Sequence, residues 1–132
     1  MKVVHRSGIR KRAVARATVK EGKGGMKVNN AHIDHVSPNL AKMKMLEPVI
    51  LADTLAKKID IFVKVHGGGY MSQAEAVRLA VARAILDYTN DKKLKEEFLN
   101  YDRQLMVADV RRKEMYKPND SKARSKRQKS YR

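Results

Sequence analysis

Two stretches of the chain alternate between apolar and polar residues, the pattern of a half-buried β-strand. In the first, Ile9 to Lys20, small or aliphatic residues share one parity and mostly basic residues the other, interrupted at Lys11 and Val14. The apolar parity holds Ile9, Ala13, Ala15, Ala17 and Val19, and the polar parity holds Arg10, Arg12, Arg16, Thr18 and Lys20. The stretch predicts one strand that projects cations about 6.7 Å apart on its exposed face. Such a row suits phosphate groups, although an ordinary solvated strand has the same pattern.

The second alternating stretch, Ile59 to Val65, has no interruption and predicts the central strand of the sheet. Between the two stretches, the glycine-rich segment 21–25 predicts a turn that holds Lys23 near a polyanion. Met26 to Val28 then predicts the return strand of a hairpin, closed by Asn29-Asn30.

Three helices are predicted before the last forty residues. Apolar residues recur at helical spacing from Gln73 to Thr89, and Ser72 followed by Glu75 predicts a capping box at the start of this main helix. Its apolar positions are rich in Ala, which allows close approach to a sheet. Proline suits the first turn of a helix, so a short helix after Pro38 and a firmer one from Pro48 to about Ala56 are also predicted.

The next segments complete the predicted body. A helix after Asp91 places Leu94, Phe98 and Tyr101 inward, and a short strand lies within Asp102–Val110. Strands and helices in this arrangement predict an α+β fold with two layers. A chain of 132 residues fits one such domain of residues 1–110 and an extension of residues 111–132.

Charge is concentrated at the two ends of the chain. Residues 1–27 hold nine basic groups and one acid, residues 111–132 hold ten and two, and residues 28–110 hold eleven of each sign, within a formal net charge of +16. A neutral middle between cationic ends favours a phosphate backbone as partner, because neutralised phosphates release condensed counterions.

Residues 111–132, called the tail below, contain few large aliphatic residues. Their basic residues are Arg111, Arg112, Lys113, Lys117, Lys122, Arg124, Lys126, Arg127, Lys129 and Arg132. Such a segment buries too little apolar surface to offset its ordering entropy, so we expect it to be ordered by a polyanionic partner.

Several kinds of chemistry find no support in the sequence. The chain has no Cys, which removes disulfides and thiolate metal sites and fits a reducing cytosol. His32, Asp34 and His35 do not match the spacing of a common metal site, and neither nucleotide-binding glycine motif is present. The triple glycine 67–69 suits either a phosphate at a helix N-terminus or a plain hinge. We predict no catalytic residue, cofactor, metal, signal peptide or membrane segment.

Taken together and in order, a set of short motifs resembles the small-subunit ribosomal protein nine family along essentially the whole chain. The motifs are GIRKRAVAR at 8–16, VN at 28–29, HGGG at 66–69, QAEA at 73–76, RA at 83–84, DR at 102–103, DVRRKE at 109–114, AR at 123–124 and QKSYR at 128–132. The ending resembles the archaeal and eukaryotic branch, and the short length favours archaea. Between Glu114 and Ala123 the chain departs from the usual Pro-Lys-Lys and Gly-Gly pattern of the family.

The resemblance implies a two-layer fold like the second domain of ribosomal protein S-five, with a left-handed βαβ crossover. It also implies a cytoplasmic place in the head of the small subunit, among neighbouring head proteins, with the tail extending toward the peptidyl-site tRNA. The residues implied to bind rRNA are Arg10, Lys11, Arg12, Arg16, Lys20, Lys23, Arg111, Arg112, Lys113, Lys122, Arg124 and Lys126. Those implied to bind tRNA are Arg127, Lys129, Ser130, Tyr131 and Arg132.

Two other functions remain open from the residues alone. A chromatin-like DNA-binding protein has the same charge. An RNA-processing enzyme is the third class, because the bacterial ribonuclease P protein resembles the same fold, but the sequence shows neither convergent acids near a glycine loop nor a nucleophile beside a base.

Overall fold

The computed structural model describes residues 2–132 and contains a five-stranded sheet and four α-helices. The strands are β1 (Val3–Arg10), β2 (Ala13–Glu21), β3 (Met26–Val28), β4 (Ala31–His32) and β5 (Ile59–His66). The helices are α1 (Asn39–Leu51), α2 (Asp53–Ala56), α3 (Tyr70–Thr89) and α4 (Lys92–Tyr101), with 3-10 turns at Ile33–His35 and Arg103–Leu105. The strand order is β1-β2-β5-β3-β4, so the predicted α+β class and the central position of β5 are confirmed.

One face of the sheet is covered by helices and carries the core. Helix α3 packs on β1, β2 and β5, and α1 packs on α3. The strand residues buried on this side are Gly8, Ala13, Ala15, Ala17, Val19, Met26, Val28, Ile59, Ile61, Val63 and Val65. The alternation in β2 and β5 therefore separates a buried side from an exposed side, as predicted.

The prediction of a single strand over Ile9–Lys20 is wrong, because the chain reverses at Lys11-Arg12. Lys11 has a φ of 53°, and Arg10 is the strand partner of Ala13 across the resulting β1–β2 hairpin. Directly paired residues point to the same side of a sheet. Arg10 therefore lies on the helix-covered side with Ala13, and only the residues of β2 follow the predicted parity.

Strand β3 does not return along β2 as predicted, because β5 lies between them. The eight residues of β5 pair antiparallel with β2 along its whole length, whereas β3 pairs parallel with β5 over three residues. The Asn29-Asn30 turn is confirmed, with φ of 48° and 71°, and joins β3 to β4. The Asn29 side chain extends the ladder: its Oδ1 accepts from the Val65 N–H at 2.9 Å and its Nδ2 donates to the Val65 carbonyl at 3.0 Å.

A helix begins after Pro38 as predicted, but Pro48 does not start a second one. Pro48 lies inside α1 and is fully buried, and only the single turn α2 (Asp53–Ala56) follows. Proline inside a helix lacks the N–H that would donate to the carbonyl four residues earlier. The helix continues through Pro48 because this buried position contributes to the core.

Helix α3 begins at Tyr70, so the predicted capping box is wrong. Gly69 is the N-cap residue, and Ser72 and Glu75 lie inside the helix. The Gln73 N–H donates to the Gly69 carbonyl at 2.9 Å. The predicted start therefore lies nearly one turn too late, because Ser72 and Glu75 have the residue types and spacing of a capping box but lie inside the helix.

Asp91 caps α4 by accepting from the Lys93 N–H at 2.9 Å. Leu94 and Phe98 are buried as predicted, but the prediction for Tyr101 is wrong because it is 56% exposed. The predicted strand within residues 102–110 is also wrong: this segment forms a 3-10 turn that buries Leu105 and leaves Val107 exposed.

Replacing Gly8 of β1 by alanine should destabilise the fold, since a Cβ there would lie 2.7 Å from the Ala80 nitrogen and closer still to the Ala76 carbonyl oxygen. Backbone atoms of α3 move only with the helix, so we expect a loss of about 1–3 kcal/mol in the free energy of unfolding, measured in urea. Gly25→Ala is the matched control, because its Cβ approaches no closer than 3.4 Å to the Asp60 carboxylate. Equal stability of the two variants would contradict this view of the β1–α3 contact.

Candidate nucleic-acid interface

The sheet surface that no helix covers, called the open face, is cationic. Its polar and aromatic residues are His5, Ser7, Arg16, Thr18, Lys20, Lys27, His32, Asp60, Phe62, Lys64 and His66, as the strand register and the exposure pattern show. In the described part of the chain, none of Arg16, Lys20, Lys27 or Lys64 forms an ion pair within 4 Å. Four cations on this face are therefore available to an external anion.

Of the predicted N-terminal cations, most are free of ion pairs in the described chain and one is bound by acids of the body. Lys11 and Arg12 lie exposed in the β1–β2 turn, and Arg16 and Lys20 lie on the open face. Arg10 instead binds two acids of the body: its Nε lies 2.6 Å from Glu75 Oε2 and its Nη2 lies 3.2 Å from Asp109 Oδ2, with the side chain 14% exposed. The structure therefore places Arg10 in an internal ion-pair cluster.

The glycine loop at 22–25 is fastened to β5 by Asp60, whose carboxylate accepts from the N–H groups of Gly25 and Lys23, each at 3.0 Å. These two bonds lower the pKa of Asp60 because they favour its charged form. A Cβ at Gly22 would overlap the same carboxylate. Lys23 is exposed at the tip of a loop whose backbone is held in place.

The triple glycine after β5 allows the chain to pass close to the β1–β2 hairpin. Gly67 and Gly68 have φ of 77° and 65°, and a Cβ on Gly67 would lie 2.5 Å from the Arg12 carbonyl oxygen. Both the left-handed backbone and the close approach require glycine here. A hinge explains the glycines at 67 and 68 without a phosphate.

The segment 102–110, called the tail root below, is fixed to the body by two arginines of α3. Arg78, which is buried, donates to Asp102 Oδ2 at 2.8 Å and also contacts Glu47 of α1. Arg83 donates to the Met106 carbonyl through Nε at 3.1 Å and Nη2 at 2.9 Å. Sequence reasoning missed Arg78, although a charged residue among the apolar positions of α3 is a signal for a buried ion pair.

The acids of the tail root and its neighbour Glu75 stay ionised. Burial disfavours the charged form of Asp102, but the Gln104 N–H and the Arg78 guanidinium outweigh that effect and lower its pKa. Burial likewise opposes charge on Glu75, while Arg10 and Lys44 lower its pKa. The Arg111 side chain and N–H hold the pKa of Asp109 far below its ordinary range. The acids near the tail root are therefore paired with cations of the body and with Arg111.

The tail beyond Arg111 has no helix or strand and is mostly exposed. Its ion pairs join Arg124 to Glu114 at 2.8 Å and Lys117 to Glu114 at 3.7 Å, across a turn in which the Asp120 N–H donates to the Lys117 carbonyl. The other predicted cations, which form no ion pair in the described chain, are Arg112, Lys113, Lys122, Lys126, Arg127, Lys129 and Arg132. The tip is exposed as well, with Tyr131 at 88%.

His32, Asp34 and Lys42 form a local network of polar contacts near β4. His32 Nδ1 lies 2.9 Å from Asp34 Oδ2, and Lys42 Nζ lies 2.7 Å from Asp34 Oδ1. No group of three His, Cys, Asp or Glu side chains within residues 2–132 has the arrangement of a metal site. Over the same residues, no helix is both long and apolar enough to cross a bilayer.

An α+β body with an unpaired cationic sheet face and a long cationic tail is typical of proteins that bind nucleic acid. A sequence model of the family described as "Ribosomal protein S9/S16" matches residues 8–132, and the chain belongs to this family. It is 53% identical over 132 residues to the "Small ribosomal subunit protein uS9" of Methanothrix thermoacetophila, covering all of both chains. It is 49% identical over 134 residues to the protein of the same name from Methanococcus maripaludis strain C7, again at full coverage of both. The predicted family and its archaeal branch are confirmed.

Replacing Arg78 by methionine should destabilise the fold, because the change leaves Glu47 and Asp102 without their shared cation. Both acids keep partial exposure, so we expect a loss of about 2–3 kcal/mol in the free energy of unfolding, below the full cost of breaking a buried pair. Lys57→Met is the control: the Lys57–Asp53 pair is exposed, and its loss should change stability by less than about 0.5 kcal/mol. If urea unfolding gives the same midpoint for both variants, Arg78 does not stabilise the fold in this way.

Acid should weaken the tail root. Asp102 and Glu75 have lower pKa values in the folded chain than in the unfolded chain, so the stability they contribute is present above their ordinary pKa of about 4 and lost as pH falls through the folded values. We expect the urea midpoint to fall between about pH 5 and pH 3, and the Glu75→Gln variant to show a shallower fall than wild type. Asp53→Asn, which alters an exposed pair, should retain the wild-type slope; an identical slope for Glu75→Gln would exclude this contribution.

Proposed function

We propose that this chain is a structural constituent of the small ribosomal subunit that binds rRNA and contacts the peptidyl-site tRNA with the tip of its tail. Membership of the ribosomal family supports the first part. The observation that supports the rest is a tail whose root is held by four body contacts while its cations project into solvent. The contacts are Arg78 with Asp102, Arg83 with the Met106 carbonyl, buried Leu105, and Arg10 with Asp109.

The body docks through cations that form no ion pair within the described chain. Lys11, Arg12 and Lys23 lie exposed at turns, and Arg16 and Lys20 lie on the open face. These side chains contact rRNA phosphates, which fixes position without reading sequence. Arg10 acts differently in this proposal, because its guanidinium is bound by Glu75 and Asp109 and holds the tail root to the body.

The tail supplies the remaining contacts. Its twenty-two residues span on the order of 70 Å when extended, several times the roughly 13 Å radius of gyration of the body. Cations in its first half and middle, which are Arg111, Arg112, Lys113, Lys122, Arg124 and Lys126, screen repulsion between rRNA segments as the subunit assembles. The residues nearest tRNA are Arg127, Lys129, Ser130, Tyr131 and Arg132.

At the tip, Arg132 forms a charge-assisted bond to a tRNA phosphate, and the exposed ring of Tyr131 stacks on an unpaired base. Both contacts use exposed side chains and require no catalytic group. The proposed role is therefore one of binding, in the cytoplasm, among neighbouring proteins of the subunit head.

The connection between β3 and β5 bears on which known fold the body resembles. The path from β3 through α1 to the parallel neighbour β5 is a βαβ unit. We propose that this crossover is left-handed and that the body is built like the second domain of ribosomal protein S-five. The parallel pairing of β3 with β5 supports this relationship.

Deleting Ser130–Arg132 should leave subunit assembly intact and speed tRNA dissociation from the peptidyl site. The reason is that the body and the rest of the tail keep their rRNA contacts while the tip loses its own. Labelled tRNA released from reconstituted subunits measures the rate, and sucrose-gradient sedimentation measures assembly.

The control for this deletion is Lys95→Gln, which removes one positive charge from exposed α4 and should not alter the release rate. An unchanged rate for the deletion would exclude the tRNA contact. Failure of the wild-type protein to sediment with small subunits would exclude the ribosomal role, and with it distinguish this protein from a DNA-binding one.

A further inference from the structure

The middle of the open face carries a partly exposed aromatic ring. Phe62 of β5 is 36% exposed and has Thr18 of β2 and Lys27 of β3 as its strand partners. Antiparallel sheets commonly leave one face to solvent, and three of the four strand pairings in this sheet are antiparallel. The ring therefore lies on a face that an external partner can reach.

Cations surround this ring on all of the neighbouring strands. Lys20 places its ammonium 4.7 Å from the centroid of the Phe62 ring, so a base that stacks on this face displaces that ammonium toward the base's own phosphate. Lys64 lies two residues further along β5 and pairs across the sheet with Arg16, and Lys27 is the neighbour on β3. Phosphates can therefore reach a cation on either side of the ring.

The only acid among the open-face residues of the described strands is already engaged. Asp60 accepts from two N–H groups of the glycine loop, and these bonds use the carboxylate oxygen that faces the loop. Asp60 therefore satisfies N–H groups of the glycine loop, and the four cations of the open face remain without an ion pair among the described residues. Charge complementarity favours a polyanion over a protein surface as occupant of this face.

We propose that Phe62 stacks on an unpaired base of rRNA whose flanking phosphates bind Arg16, Lys64 and Lys27. This inference rests on the proposed function and adds a base-binding position to it. The stack needs a single-stranded segment, because bases within a duplex have no free face for an aromatic side chain. A ring surrounded by cations is the arrangement by which sheets hold single-stranded nucleic acid without a sequence requirement.

The test uses the full-length protein and two fluorescent probes, a single-stranded oligouridine of about ten nucleotides and an RNA duplex of the same length. Phe62→Leu should weaken binding of the single strand about tenfold and leave binding of the duplex unchanged, because only the single strand offers a base to the ring. Phe62→Tyr retains the ring and should restore wild-type affinity. Phe62 is exposed, so these variants should unfold at the wild-type temperature, which circular dichroism checks.

The cations are tested separately. The double variant Arg16→Gln/Lys64→Gln should weaken binding of both probes and reduce the slope of log affinity against log salt by about 1–2. Lys93→Gln/Lys95→Gln removes the same charge from α4, which packs on α1 and α3 instead of the sheet. This control should lose clearly less affinity than the open-face variant.

Three outcomes of the binding assays overturn the stacking proposal: wild-type affinity of Phe62→Leu for the single strand, an equal loss on the duplex, or equal losses for the two double variants. Ultraviolet crosslinking in assembled subunits adds a further check, since a crosslink from Phe62 to rRNA supports the proposal and one to a protein overturns it. The proposed function is judged independently by co-sedimentation of the wild-type protein with small subunits. A protein that sediments but shows any of the overturning outcomes keeps its ribosomal role and loses the stacking site.

Discussion

The close contact between α3 and the β1–β2 hairpin is the constraint on which the rest of the structure depends. Both surfaces contain very small buried residues, with Gly8, Ala13 and Ala15 on the strands and Ala76 and Ala80 on the helix, and Gly8 lies directly against Ala76 and Ala80. Small side chains let backbone approach backbone, which increases dispersion contacts but leaves no tolerance for added atoms. A side chain at Gly8 would therefore force α3 away from the sheet.

This fixed helix determines where the tail leaves the body. Glu75, Arg78 and Arg83 lie on successive turns of α3, and each binds either the tail root or the arginine that holds it. The exit point of a disordered segment limits which surfaces its tip can reach, since chain length sets only the radius. Packing of alanines in the core is thereby linked to the point at which the tail leaves the body.

Sequence periodicity predicted β5 and α3 because each buries one continuous apolar side, and that constraint is local. Prediction from periodicity failed where the structure is decided by contacts between residues far apart in the sequence. The β1–β2 turn was missed because Ile9 and Arg10 continue the odd-apolar, even-basic alternation of residues 13–20 across Lys11-Arg12. Arg10 was therefore placed on the wrong face. Pro48 was misplaced because core packing outweighed its lost hydrogen bond. The tail's charge was evident from composition, but the ion pairs of Arg78 and Arg10 depend on helices that only the tertiary fold brings together.

The distribution of acids explains how a chain of net charge +16 keeps a folded body. Acids lie where the fold needs them: Asp91 caps α4, Asp60 holds the glycine loop, and Glu75 with Asp102 binds arginines at the tail root. Each of these acids is engaged within the chain, by N–H groups in the case of Asp60 and Asp91 and by side-chain cations in the case of Glu75 and Asp102. Much of the unpaired positive charge lies on the open face and in the tail, where repulsion between like charges opposes compaction in the free protein. Neutralisation by phosphates lowers that repulsion, so binding of a polyanion stabilises the compact state of the chain.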